Sequence, residues 1–104
     1  MNQNTAQQTC NKRDHPPFFL GHVVATPGAL AALKEAGQDG SEFLQRHESG
    51  DWGEVDAYDR NENNNALRTG ERLFSAYTLR NGTRLWIITE ADRTATTLLL
   101  PEEY

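Results

Sequence analysis

The stretch that decides the fold is the last third of the chain, where residues 72–100 read RLFSAYTLRNGTRLWIITEADRTATTLLL. Two β-rich runs flank Asn81-Gly82. This dipeptide is a strong hairpin signal, because both residues accept the positive φ of a type I′ turn. A second turn at residues 91–93 leads into a third run, which Pro101 ends. The stretch therefore predicts a three-stranded antiparallel meander.

The segment before the meander reads as helices. Thr26 is the predicted N-cap of the first helix, Pro27 occupies its first position and Gly37 ends it. A second helix is predicted over residues 41–49 with Ser41 as its N-cap, and a third, polar helix over residues 59–69 capped by Asp59. The apolar stripe of the first helix consists of Ala29, Leu30, Ala32, Leu33 and Ala36.

Helices followed by strands indicate an α+β fold. We expect two to three short N-terminal helices packed on a three- to four-stranded antiparallel meander sheet, with the apolar run at residues 18–25 as the possible fourth strand. Residues 1–17 are polar and end in two prolines, so we expect a disordered tail there. Residues 18–104 then form a single α+β domain.

Composition and charge exclude several classes of protein. With one cysteine, the 104-residue chain has neither an internal disulfide nor a four-cysteine zinc site. No apolar run is long enough to span a membrane, and no secretory signal opens the sequence, so a cytoplasmic location is expected. A formal net charge of −5 disfavours nucleic acid as a partner.

Common catalytic and cofactor motifs are absent, including GxxxxGK[ST], GxGxxG, HExxH and GxSxG. The spacing Asp59-x-Asn61-x-Asn63 begins like a calcium loop, but Gly70 stands where the bidentate glutamate should be. We therefore expect no metal site and no cofactor.

The charge is unevenly distributed along the chain. Residues 39–64 hold eight acids against two arginines, whereas residues 68–93 hold five arginines against three acids. We favour pairing between the two halves. The alternative is that the acidic stretch mimics nucleic acid and occupies a DNA-binding defence protein.

His47 follows Phe43 by four residues and Leu44 by three, which places it near the apolar face of the second helix. We favour a structural histidine there. The functional alternative is a general acid/base, for which imidazole is suited at neutral pH. Arg93, in the turn before the last strand, and Thr97, on that strand, could present a cation and a hydroxyl to an anionic ligand.

Trp52 lies between an acid and a glycine directly after the second helix. We favour a core role for this ring, and the alternative is an exposed anchor for a partner. The predicted binding surface, which would take an unknown protein partner, consists of Asp51, Trp52, Glu90, Asp92 and Arg93.

Three segments carry a family resemblance: residues 46–53 (RHESGDWG), 85–93 (LWIITEADR) and 96–104 (TTLLLPEEY). They are similar to a family of small bacterial proteins usually described as plasmid-related or of unknown function. The resemblance runs from about residue 21 to residue 104. It implies a bacterial, intracellular and often mobile-element context, and it implies no activity.

The layout also resembles that of the barnase/RelE-like metal-independent ribonucleases. That resemblance implies that His47 is the acid/base, that Arg84 or Arg93 stabilises the phosphorane charge and that Thr97 holds the scissile phosphate. The acidity of the chain counts against it. Whether the protein is an enzyme stays open, and a partner-binding module of plasmid context is the expected function.

Overall fold

The computed structural model describes residues 18–104, so the predicted disordered tail, residues 1–17, lies outside the described residues. Four strands and three helices follow one another. They are β1 (His22–Ala25), α1 (Pro27–Ala36), α2 (Gly40–Glu48), α3 (Ala57–Thr69), β2 (Leu73–Thr78), β3 (Arg84–Thr89) and β4 (Ala95–Leu99), and a 3-10 turn at Pro101–Glu103 ends the chain. The predicted α+β class is confirmed. None of the three described helices has the length and hydropathy needed to cross a bilayer.

The sheet has the strand order β1-β4-β3-β2. The predicted antiparallel meander β2-β3-β4 is confirmed. The expectation that a fourth strand would also be antiparallel is wrong, because β1 runs parallel to β4. The connection from β1 to β4 includes all three helices as well as β2 and β3, and parallel neighbours require a long connection of this kind.

The hairpin between β2 and β3 differs from the predicted type I′ turn. The Leu79 carbonyl accepts from the Gly82 N–H at 2.9 Å, so the central residues of the turn are Arg80 and Asn81. Neither has a positive φ, whereas Gly82 has a φ of +88°. The turn is therefore shifted by one residue, and glycine supplies the left-handed position that follows it.

Helix α1 begins and ends as predicted. The Thr26 hydroxyl accepts from the Ala29 N–H, and Gly37 ends the helix in the left-handed conformation. Leu30 does not belong to the buried stripe, since it is 57% exposed. It lies one residue, or about 100° of helix rotation, beyond Ala29, whereas the buried positions recur three and four residues apart.

Helices α2 and α3 begin earlier than predicted, and the predicted N-caps Ser41 and Asp59 are wrong. Asp39 caps α2 by accepting from the Ser41 N–H, and Asp56 caps α3 by accepting from the Asp59 N–H. In both helices an aspartate two or three residues upstream offers its carboxylate to the first free N–H groups.

The core has two parts. The larger part lies between the sheet and helices α1 and α2, where side chains such as Leu33, Phe43 and Leu85 pack together. The smaller part consists of Phe18, Trp52, Val55, Ala66, Leu73 and Ala76. Helices α1 and α2 therefore cover one face of the sheet.

The outer edge of β2 is closed by two neighbours. The Asn63 amide of α3 donates to the Phe74 carbonyl at 2.6 Å and accepts from the Phe74 N–H at 3.0 Å, as an adjacent strand would. Gly53 forms a parallel bridge to Ala76, and its φ of +75° together with the 2.2 Å from an added Cβ to the Ala76 carbonyl oxygen requires glycine. This edge is thereby protected against pairing with another chain.

We predict that Asn63→Ala lowers the free energy of unfolding by roughly 2 kcal/mol, because it leaves both backbone groups of Phe74 without their partner. Urea unfolding measures the change. Asn61→Ala, at an exposed position of the same helix, is the matched control and should change stability by less than about 0.5 kcal/mol. Equal effects of the two substitutions would contradict the edge-closing role of Asn63.

Candidate functional site

The most chemically organised group of side chains is a buried chain of hydrogen bonds around His47. The Ser75 hydroxyl lies 2.5 Å from Nδ1 of His47, and the Thr89 hydroxyl lies 2.9 Å from Nε2. Thr89 contacts the Thr96 hydroxyl at 2.7 Å, and Thr96 donates to the Leu20 carbonyl at 2.7 Å. His47, Ser75, Thr89 and Thr96 are all fully buried.

The last acceptor in this series of hydrogen bonds determines which group donates at each step as far as Nε2 of His47. The Leu20 carbonyl can only accept, so the single hydroxyl proton of Thr96 is used there. Thr96 must then accept from Thr89, and Thr89 must accept from Nε2–H of His47. His47 therefore carries a proton on Nε2. In the neutral ring, Nδ1 then accepts from the Ser75 hydroxyl.

Aromatic rings and one cation surround the imidazole. Phe18 and Trp52 approach it edge-on, with ring centroids at 5.3 and 5.6 Å. Burial, with a further contribution from the positive charge of Arg93, lowers the pKa of His47 to about 3. With this pKa the ring is neutral at physiological pH, which is compatible with the hydrogen bonds at both nitrogens.

The three residues of the ribonuclease hypothesis are not brought together. His47 is buried on the sheet face that carries α1 and α2. Thr97 lies on the opposite face, because side chains alternate along β4 and Thr96 points to His47. Arg84, the other arginine of that hypothesis, is exposed at the start of β3 and lies 3.9 Å from Glu54.

The partly exposed Arg93 binds backbone carbonyls of its own chain. Its guanidinium donates to the Glu71 carbonyl at 2.7 Å and to the Ala66 carbonyl at 3.0 Å, and it lies over the Phe18 ring at 5.8 Å. It is also the only non-glycine residue with positive φ, +61°, in the described part of the chain. The side chain thus ties the end of α3 to the β3-β4 turn.

The predicted binding surface is divided by the structure. Trp52 is buried, as its core interpretation expects, and its Nε1 donates to Asn64 at 3.1 Å. Asp51 pairs with Arg46 at 2.7 Å, and the hydrogen bond from that guanidinium lowers the pKa of the carboxyl. Glu90 and Asp92 are exposed at the β3-β4 turn.

The acidic and basic halves of the chain pair at a single point among residues 18–104. Glu54 lies 3.9 Å from Arg84, and the other ion pair of that region, Arg46–Asp51, is internal to the acidic half. Among these residues, the expected pairing between the halves is therefore limited to this one contact. No group of three potential metal ligands occurs within the same described residues.

The face of the sheet opposite to α1 and α2 carries an aromatic cluster, which we call the open-face cluster: Phe74, Trp86 and Tyr104. The half-buried Trp86 ring is edge-on to Phe74 at 4.9 Å and to Tyr104 at 5.8 Å. Arg72 donates to the Tyr104 hydroxyl at 2.7 Å and lies over its ring. Val24, Ile88 and Thr97 share this face, because they form one cross-strand row with Phe74.

Sequence reasoning missed both the hydroxyls around His47 and the open-face cluster. Ser75, Thr89 and Thr96 occupy inward positions of three different strands, and period-2 alternation could have placed them there. The same alternation assigns Phe74 and Trp86 to the other face. The alternation is visible within each strand, but only the register between strands shows which of these residues are neighbours.

We predict that acid destabilises the fold through His47. Its folded pKa of about 3 lies below the unfolded value of 6.5, so the unfolded state binds the proton first and stability falls as the pH decreases below 6.5. Between pH 7 and pH 5 the free energy of unfolding should fall by roughly 2 kcal/mol, measured by urea unfolding. His47→Gln, although less stable throughout, should lose this pH dependence. An unchanged dependence in the variant would contradict the assignment.

The chain was also compared with known proteins. No family model, curated protein or solved structure matches it. The resemblance to plasmid-related proteins therefore stays a prediction.

Proposed function

We propose that this protein is a partner-binding module whose partner is another protein, seated on the open-face cluster. The observation that carries the proposal is the position of Trp86, half-buried on a central strand, with Phe74 and Tyr104 packed at its edges. Large aromatic rings on a rigid sheet provide contact area with little loss of conformational entropy on binding.

The surroundings of the cluster match the composition of protein interfaces. Tryptophan, tyrosine, phenylalanine and arginine are enriched at such interfaces, and Arg72 adds a guanidinium stacked on Tyr104. Ile88 and Leu99 are nearly buried on the same face, where Ile88 lies opposite Phe74 and Leu99 lies opposite Trp86. Exposed Thr78 and Arg84, farther along the same face, offer polar contacts at its rim.

Charge favours a protein partner over a nucleic acid. The chain carries a formal net charge of −5, and nucleic-acid affinity depends chiefly on cations that neutralise phosphates. The ribonuclease alternative gains no support from the geometry, since His47 is buried and Thr97 lies on the other sheet face. The bacterial, cytoplasmic and plasmid-related context of the module rests on the sequence resemblance.

We predict that a photoreactive benzoyl-phenylalanine in place of Tyr104 forms a discrete cross-linked species with another protein in the cells that naturally produce the chain. The matched control is the same replacement of Tyr58 on α3, because the two tyrosines are 68% and 70% exposed. The adduct should be absent at position 58. Mass spectrometry distinguishes an adduct with another protein from one with a second copy.

Adding Trp86→Ala to the position-104 photoreactive variant should reduce the adduct at least tenfold, because it removes the central ring of the cluster. Circular dichroism verifies that the double variant is folded. Equal cross-linking at positions 58 and 104, no adduct at either, or an adduct that survives Trp86→Ala would each contradict the proposal.

A further inference from the structure

The two edges of the sheet differ in whether another segment hydrogen-bonds to them. The outer edge of β2 is closed by Asn63 and Gly53. No described residue pairs with the outer edge of β1, which occupies the other end of the strand order. Its sequence, His-Val-Val-Ala, contains none of the lysines, acids or prolines that protect exposed edges. An unprotected apolar edge is a template for pairing with another strand.

The backbone of β1 determines which groups face outward. The His22 N–H donates to Thr94 at 2.9 Å and the Thr26 N–H donates to Leu98 at 3.0 Å, both toward β4. Because these directions alternate along a strand, Val24 also faces β4, whereas the N–H and C=O groups of Val23 and Ala25 face outward.

We propose that β1 pairs antiparallel with β1 of a second copy of this chain, giving a two-fold symmetric dimer with a continuous eight-stranded sheet. In the register that satisfies the outward groups, Val23 pairs with Ala25 of the second copy, and Val24 of each copy lies beside the two-fold axis. The interface is isologous, as two-fold symmetry requires. The inference is independent of the proposed function, since it concerns the strand edge and not the open-face cluster.

Polar complementarity argues for a second copy over an unrelated strand. In this register the exposed His22 of one copy lies opposite Thr26 of the other. The Thr26 hydroxyl donates to the Glu103 carboxylate at 2.5 Å, so an acidic group lies at that end of the strand. Antiparallel pairing brings His22 toward Glu103 twice, once on each side of the axis. No like charges face each other along the neutral strand itself.

Cross-linking by cysteine tests the register directly. In a Cys10→Ser background, Val24→Cys should form an interchain disulfide under mild oxidation, because directly opposed residues of a non-hydrogen-bonded pair have Cα atoms about 4.5 Å apart. Val23→Cys is the matched control, since Val23 and Val24 are each 42% exposed. The two copies of residue 23 would be about 8–9 Å apart, too far for a disulfide. At least ten times more disulfide dimer is expected for Val24→Cys.

Sedimentation of the full chain completes the test. The wild type should be dimeric at micromolar concentration, and Val23→Pro should be monomeric with an unchanged circular dichroism spectrum, because only an outward N–H is lost. Should Val23→Pro fail to fold, Val23→Lys replaces it. A wild-type chain that is monomeric at all concentrations, or equal disulfide formation at positions 23 and 24, would overturn the proposal.

Discussion

The neutral imidazole of His47 is the constraint on which the rest of the structure depends. Its two nitrogens join α2 to β2 and β3, and the hydroxyls of Thr89 and Thr96 extend the connection through β4 to the Leu20 carbonyl. Each buried polar group in this chain is satisfied by the next one, so the loss of one member leaves its neighbour without a partner. This hydrogen-bond chain therefore ties α2 and the segment before β1 to three adjacent strands.

Because of this arrangement, we infer that the functional surfaces lie on the exterior of the fold. A histidine with a pKa of about 3, covered by Phe18 and Trp52, has no access to solvent in this conformation. Arg93, whose cation would otherwise attract an anion, is occupied by backbone carbonyls. What the fold presents outward is the sheet face around Trp86 and the edge of β1. Both are mainly apolar, and both belong to the same four-stranded sheet.

Local signals in the sequence determined much of the fold. The N-cap at Thr26, the stop at Gly37 and the three strands of the meander each depend on neighbouring residues, and the structure confirms them. The helix starts of α2 and α3 were misplaced because aspartate and serine are similar N-caps and several candidates stand close together. Leu30 was misassigned because a composition of alanine and leucine defines the buried face of a helix only loosely.

Long-range features could not be predicted in the same way. The parallel placement of β1 depends on the path of the chain through three helices, and the partners of His47 lie 28 and 42 residues away from it. The roles of two residues of the predicted binding surface depend on such contacts, since Trp52 packs in the core and the Arg93 guanidinium binds backbone carbonyls. Period and propensity assign a residue to a face of its own element, but only the register between elements decides which residues meet.

The central claim, that a neutral His47 with its proton on Nε2 locks the core, is tested most directly by nitrogen-resolved NMR of its ring at pH 7 and pH 4.5. Assignment follows from the loss of the signals in His47→Gln. The account predicts a protonated Nε2 and an unprotonated Nδ1 that accepts a hydrogen bond, with both signals unchanged at the lower pH. A proton on Nδ1, or uptake of a second proton with a midpoint near the ordinary histidine pKa of about 6.5, would contradict it.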